Sequence, residues 1–183
     1  MATKSLKAKG NELAQTNKQL DILNGGIFAD GELPYFKDKI SEIGHFPLRP
    51  KKLEILQLNL GYMCNQVCEH CHVDAGPDRK EIVTRETMAQ CLEVIKNTGA
   101  HTLDLTGGAP EMNPDFEWFV EEAAKAGIKD FIVRSNLTII RANKKYYHLP
   151  DFFKKHNVHV ISSMPHWTRG KTDKQRGEGV FDK

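Results

Sequence analysis

From residue 53 onward, apolar and polar positions follow two alternating periods. Leu56, Leu58 and Leu60 fall on one side of an extended segment over 53–60, with Gln57 and Asn59 on the other, the two-residue repeat of a β-strand. The period then changes. Met88, Cys91, Leu92 and Ile95 recur at i, i+3, i+4 and i+7, which predicts a helix from an N-capping Thr84 to a stop at Gly99. Val83 and Met88 are spaced to staple its first turn. Residues 102–106 read as a second strand. Asn113-Pro114 reads as an N-cap with proline at the first helical position, opening a helix through Phe116, Phe119, Val120 and Ala123 to Gly127. Residues 131–134 predict a third strand, 150–156 a short helix and 158–163 a fourth strand. Repeated strand-then-helix units joined by short loops specify an α/β fold with a parallel sheet and right-handed crossovers.

Upstream of residue 53 the periodicity is lost. Gly25-Gly26, Gly31, Pro34, Gly44, Pro47 and Pro50 interrupt it, so residues 1–52 are expected to form a polar, partly helical extension and residues 53–183 the core domain.

In a sheet of this kind ligands collect at the carboxyl ends of the strands. Gly61-Tyr62-Met63-Cys64 and a cysteine cluster follow the first strand, and Gly107-Gly108-Ala109-Pro110-Glu111 follows the second. Arg134, Ser135 and Asn136 end the third, and Ser163, Met164, Pro165 and His166 follow the fourth. Four reactive or backbone-permissive stretches thus land on one edge. Asp104 and Thr106 share one face of the second strand and are expected to look inward.

Composition narrows the classes of function. The chain has 183 residues, with 26 Lys+Arg against 24 Asp+Glu, 39% hydrophobic and 27% charged. No apolar run approaches the roughly 18 residues of a membrane span, so no membrane partner is expected. The near-neutral balance lacks the basic excess of a nucleic-acid binder. Lys4, Lys7 and Lys9 stand at the N-terminus without the apolar core of a secretory signal, so a cytoplasmic location is expected.

The cysteines are unevenly placed. Cys64, Cys68 and Cys71 are spaced C-x3-C-x2-C, whereas Cys91 sits at a core-facing helical position and reads as a small hydrophobe. A reducing compartment favours metal or redox chemistry for the cluster. Cys64, Cys68, Cys71 and His72 could nominally supply a zinc tetrahedron, although adjacent Cys71 and His72 are awkward on one ion. Cys68 to His72 formally matches a haem-attachment pattern, and Cys68 with Cys71 a thioredoxin-like pair. An iron–sulfur cluster is the fourth option, with three thiolates at three corners and one iron left open.

The C-x3-C-x2-C order after a first parallel strand resembles the radical S-adenosylmethionine (radical SAM) superfamily, with His70 in the place of its aromatic-type residue before the third cysteine. Gly107, Gly108, Ala109, Pro110 and Glu111 are similar to its glycine-rich SAM motif, in which glycines let the backbone approach the ligand. The resemblance implies a [4Fe-4S] cluster on Cys64, Cys68 and Cys71. It also implies SAM contacts from His70, the 107–111 loop, Arg134, Ser135, Asn136 and Ser163, and an electron donor such as a flavodoxin or ferredoxin. The fold it implies is a partial (β/α) barrel, here reduced to about four β/α units.

A narrower likeness runs through the stretch from Leu56 to Pro77, Leu105–Glu111, Arg134–Thr138 and Gln175-Arg176-Gly177-Glu178-Gly179-Val180-Phe181. These residues resemble the arsenosugar-biosynthesis radical SAM protein family over about residues 53–183. That family implies a small-molecule substrate, a dimethylated trivalent arsenical, whose arsenic is joined to C5′ of the deoxyadenosyl group. The chain departs from the pattern at Ser163-Met164-Pro165-His166, where a cysteine after Ser-Leu-Pro is expected, and in stopping at Lys183.

Overall fold

The computed structural model describes residues 4–22, 34–49, 51–69 and 71–182. Gly25, Gly26, Gly31, Pro50 and His70 lie outside them. Two short helices, α1 (Thr16–Asp21) and α2 (Phe36–Glu42), precede the sheet. The remainder runs β1 (Ile55–Asn59), α3 (Arg85–Thr98), β2 (Thr102–Thr106), α4 (Phe116–Ala126), β3 (Asp130–Arg134), α5 (Thr138–Ala142), α6 (Leu149–Lys155), β4 (Val158–Ile161) and α7 (Arg169–Arg176). The strands are all parallel in the order β1-β2-β3-β4. Sequential order is the winding of an opening barrel, as the pattern of strands and helices predicts. Among the described residues, no helix is long and apolar enough to cross a membrane.

Alternation along the strands sorts the two faces. Leu103, Leu105, Phe131 and Val133 turn outward beneath the helices and are at most 3% exposed. They pack on Met88, Leu92 and Ile95 of α3 and on Phe116, Phe119, Val120 and Ala123 of α4. Phe152 and Phe153 of α6 meet Phe116 at ring-centroid distances of 6.2 and 6.3 Å. Each such side chain contributes roughly 1.5–3 kcal/mol when fully buried. Cys91 packs half-buried against this core.

The inner face is polar. Asp104 on β2 is buried and accepts from Gln57 of β1 at 2.6 Å and from Arg134 of β3 at 2.8 Å. Burial raises its pKa, but the bonds from Arg134 and Gln57 outweigh that and leave it below the ordinary carboxylate value. Three neighbouring strands are therefore cross-linked by one carboxylate.

The helix ends show where local signals hold. Thr84 caps α3 by accepting from the Thr87 N–H, and Gly99 closes it in the left-handed region at φ 69°. The signal at Asn113 holds in part. A 3-10 turn (Pro110–Met112) intervenes and α4 begins at Phe116 with Asp115 at its cap position, but the Asn113 side-chain oxygen still accepts from the Asp115 N–H at 2.9 Å at the entry to the helix. Its amide also donates to the Leu60 and Val83 carbonyls at 3.1 and 2.9 Å, tying the end of β1 to the entry of α3.

The first described residues grip the segment that leaves the cysteine loop. Ser5, fully buried, donates to Asp78 from its N–H at 3.0 Å and its hydroxyl at 2.6 Å. The Leu6 and Lys7 N–H groups donate to Asp74 at 2.6 and 2.9 Å. Arg79 pairs with Asp74 and Glu81 and lies over the Tyr62 ring at 4.7 Å.

Candidate functional site

A cavity of about 280 Å³ opens at the carboxyl edge of the sheet. Cys64, Cys68 and Cys71 border it from the loop after β1, and Gly107 and Gly108 from the loop after β2. Arg134, Ser135 and Asn136 join them from the end of β3, and Ser163 from beyond β4. Ala109, Pro110 and Glu111 do not border the cavity; all three are buried behind its wall. The sequence-based grouping is thus brought together except for that rear trio, and His70 falls outside the described residues.

The cysteine loop has no regular structure, so its shape comes from ties to its neighbours. The Cys64 N–H donates to the Gly76 carbonyl at 3.2 Å and the Gly76 N–H to the Tyr62 carbonyl at 3.0 Å. On the other side, the Gly108 N–H donates to the Gly61 carbonyl and the Ala109 N–H to the Met63 carbonyl, both at 2.9 Å. This close approach explains the paired glycines. A Cβ on Gly108 would sit 2.4 Å from the Met63 oxygen, and one on Gly107, at φ 140°, would sit 2.7 Å from the Gly61 oxygen. The sequence suggested that the glycines make room for a ligand. In the structure their first task is to let the second loop buttress the cysteine loop.

The thiols are held by hydrogen bonds suited to thiolate sulfur. Cys64 Sγ accepts from the Gln66 N–H at 3.4 Å and the Asn136 amide at 3.6 Å, and Cys71 Sγ from the Ala75 N–H at 3.3 Å. Asn136 is itself fixed. It donates to Asn65 at 2.8 Å and accepts from the Thr138 hydroxyl and the Ile139 N–H. Leu137 takes φ 60° to make that turn. Burial pushes the Cys64 thiol up to about 11, offset in part by the Gln66 N–H. Burial also raises Cys68, against the pull of the Arg176 guanidinium. Both cysteines therefore hold their protons in the metal-free protein and would release them to a metal.

Glu111 is the buried anomaly. It is 4% exposed, and neither carboxylate oxygen has a hydrogen bond of normal geometry among the described residues. Burial raises its pKa, and the neighbouring Ser135 hydroxyl offsets this only in part. Arg134 is committed to Asp104. Arg176, not among the residues first expected at the site, also borders the cavity; its only sequence signal was its place in the Gln175–Phe181 stretch.

Among the described residues, no group of three His, Cys, Asp or Glu side chains converges on one ion, while Cys64, Cys68, Cys71 and His72 all border one cavity. Three thiols on one loop are the donor type of an iron–sulfur cluster, and with His72 they also make up the nominal zinc set.

These features define a protein with three cysteines on one loop at the carboxyl edge of a parallel sheet. The chain belongs to the radical SAM superfamily, whose sequence model matches residues 58–165. Similar curated proteins include a probable GTP 3′,8-cyclase of Saccharolobus islandicus (strain M.14.25 / Kamchatka #1), 29% identical over 86 residues, or 47% of this chain and 28% of the relative. Another, from Sulfolobus acidocaldarius, is 26% identical over 86 residues, again 47% of this chain and 28% of the relative. The matched stretch is thus well under a third of these relatives' length. The fold is similar to that of Streptococcus suis SuiB bound to S-adenosylmethionine, with TM-score 0.56 and 15% identity over 70% of this chain and 29% of that one. SuiB bound to its precursor peptide SuiA aligns with TM-score 0.57 and 14% identity over 94% of this chain and 39% of that one.

Proposed function

We propose that the chain carries out radical SAM chemistry, with a [4Fe-4S] cluster held by Cys64, Cys68 and Cys71 and SAM bound beside it. The observation that carries this reading is the meeting of three thiols, two of them accepting N–H bonds, on one cavity at the carboxyl edge of the sheet. Held there by Cys64, Cys68 and Cys71, such a cluster would supply the one-electron reduction that cleaves the S–C5′ bond of SAM. The electron comes from a small donor of the flavodoxin or ferredoxin kind, in a cytoplasmic setting.

In this reading the protein's own groups bind and orient. Gly107 and Gly108 offer side-chain-free backbone along one wall of the cavity, backed by Ala109, Pro110 and Glu111. Ser135, Asn136 and Ser163 present polar atoms on the wall formed by β3 and β4, with Arg134 beside them. His70 stands between Cys68 and Cys71 in the sequence.

For the substrate we infer a dimethylated trivalent arsenical, supported by the sequence stretches that resemble the arsenosugar-biosynthesis family. The electron count closes: arsenic is oxidised by two electrons as the C5′–As bond forms, the sulfonium is reduced by two as S–C5′ breaks, and the donor's electron is returned. One observation favours a second reading, a different small molecule. His166 stands in place of the expected cysteine, and its Nδ1 accepts from the Thr168 N–H at 3.0 Å. That leaves Nε2 as the protonated nitrogen, a hydrogen-bond donor instead of a soft sulfur ligand. Incubating the reconstituted protein with SAM, reductant and a dimethylated trivalent arsenical separates the two. A product mass containing both arsenic and deoxyadenosyl supports the arsenical; 5′-deoxyadenosine alone supports the second reading.

A further inference from the structure

The proposed reaction leaves Arg176 unassigned. It closes α7, whose sequence Arg169–Arg176 has no apolar side chain beyond threonine, yet it is only 8% exposed. A buried arginine is ordinarily paired. Among the described residues it joins none of the ion pairs, and its Nε has no hydrogen-bond partner.

Its placement is specified by the chain around it. The Glu69 N–H donates to the Gln175 carbonyl at 2.9 Å, tying the residue after Cys68 to the residue before Arg176. Thr172, also buried, donates to the His166 carbonyl at 2.6 Å and anchors the same helix. Arg176 and Cys68 border one cavity. The other arginine there, Arg134, is already paired with Asp104. One uncommitted positive charge is therefore held beside one of three thiols.

We propose that Arg176 is a positioning residue whose guanidinium lies against the Cys68 corner of the cluster and favours its one-electron reduction. A cluster on three thiolates is anionic and gains a further negative charge on reduction. A fixed cation in a buried site therefore stabilises the reduced form more than the oxidised one. This inference rests on the cluster reading above.

The test uses the full chain, reconstituted anaerobically with iron and sulfide, and its R176Q and R176K variants. Iron and sulfide content are measured first. The fraction of reduced cluster is then followed by electron paramagnetic resonance in a mediated redox titration without SAM. At the parent's midpoint, R176Q is expected to show a reduced-to-oxidised ratio about tenfold lower, equivalent to about 59 mV for one electron. R176K is expected to stay near the parent. An unchanged ratio in loaded R176Q overturns the proposal, whether or not SAM binding weakens. If R176Q loses iron while R176K loads and titrates like the parent, the charge is again what matters and the proposal stands. Iron loss in both variants assigns Arg176 to the packing of α7 and overturns it. A parent that takes up no cluster overturns the cluster reading and this proposal together.

Discussion

At the scale of single residues, the site depends on groups that could not be other than they are. Gly108 is the clearest. An alanine there drives its Cβ into the Met63 carbonyl and within 3.0 Å of the Ala75 Cβ, so one of two interlocked loops must move. Gly108→Ala should cost about 1–3 kcal/mol, read as a lower midpoint in chemical denaturation, with reduced iron retention after reconstitution. The cysteines divide by the same logic. Replacing Cys64, Cys68 or Cys71 by serine should remove most bound iron, whereas Cys91→Ser should leave it, because Cys91 packs on the core away from the cavity. Glu111 gives a pH signature in the metal-free protein. Its pKa is raised by burial, so its ionisation disfavours the native state as pH climbs above the unfolded value of about 4.3. The Glu111→Gln variant should therefore gain stability on the parent as pH rises from 4 to 7. A gap that stays constant would show that Glu111 is not held against its charge.

At the scale of elements, the strands and the two long helices were legible in the sequence because each carries a strong period and a local stop signal. Thr84, Gly99 and Gly127 do in the structure what their residue types suggest. The failures have a common cause in long-range contacts. Asn113 makes the expected local bond from the Asp115 N–H, but its amide partners Leu60 and Val83 are distant in sequence. The helix α7 has no apolar stripe, so no periodicity marks it, and Arg176 is buried where the end of that helix meets the cysteine loop, beside the cavity. The grip of Ser5, Leu6 and Lys7 on Asp74 and Asp78 is likewise invisible locally.

That grip should yield to acid. Hydrogen bonds from Ser5 hold the Asp78 carboxyl below its ordinary value, and bonds from Arg79 do the same for Glu81. Such depressed groups contribute stability above the unfolded pKa of about 4 and lose it as pH falls through the lowered folded values. Hydrogen-exchange protection of residues 5–9, relative to the intrinsic rate at each pH, is therefore expected to fall below about pH 4 before that of the core amides. Simultaneous release of both would show the segment to be part of the main cooperative unit.

At the scale of the whole molecule, the four-stranded sheet separates structure from chemistry. The helical layer covers the main apolar core, while the opposite face carries the Gln57–Asp104–Arg134 link and leads to the cavity. Parallel winding sets every carboxyl end on one edge, which is why the residues after each strand mark the cavity in the sequence itself. The three thiols and the polar wall of that cavity were legible in this way. The buttressing role of the glycines and the retreat of Ala109, Pro110 and Glu111 behind the wall were not, because they depend on how two loops meet.

The most direct measurement is anaerobic reconstitution with iron and sulfide, followed by incubation with SAM and a one-electron reductant. Formation of 5′-deoxyadenosine and methionine, lost in Cys68→Ser, is the expected result. A colourless protein that binds one zinc per chain and leaves SAM intact would contradict the account.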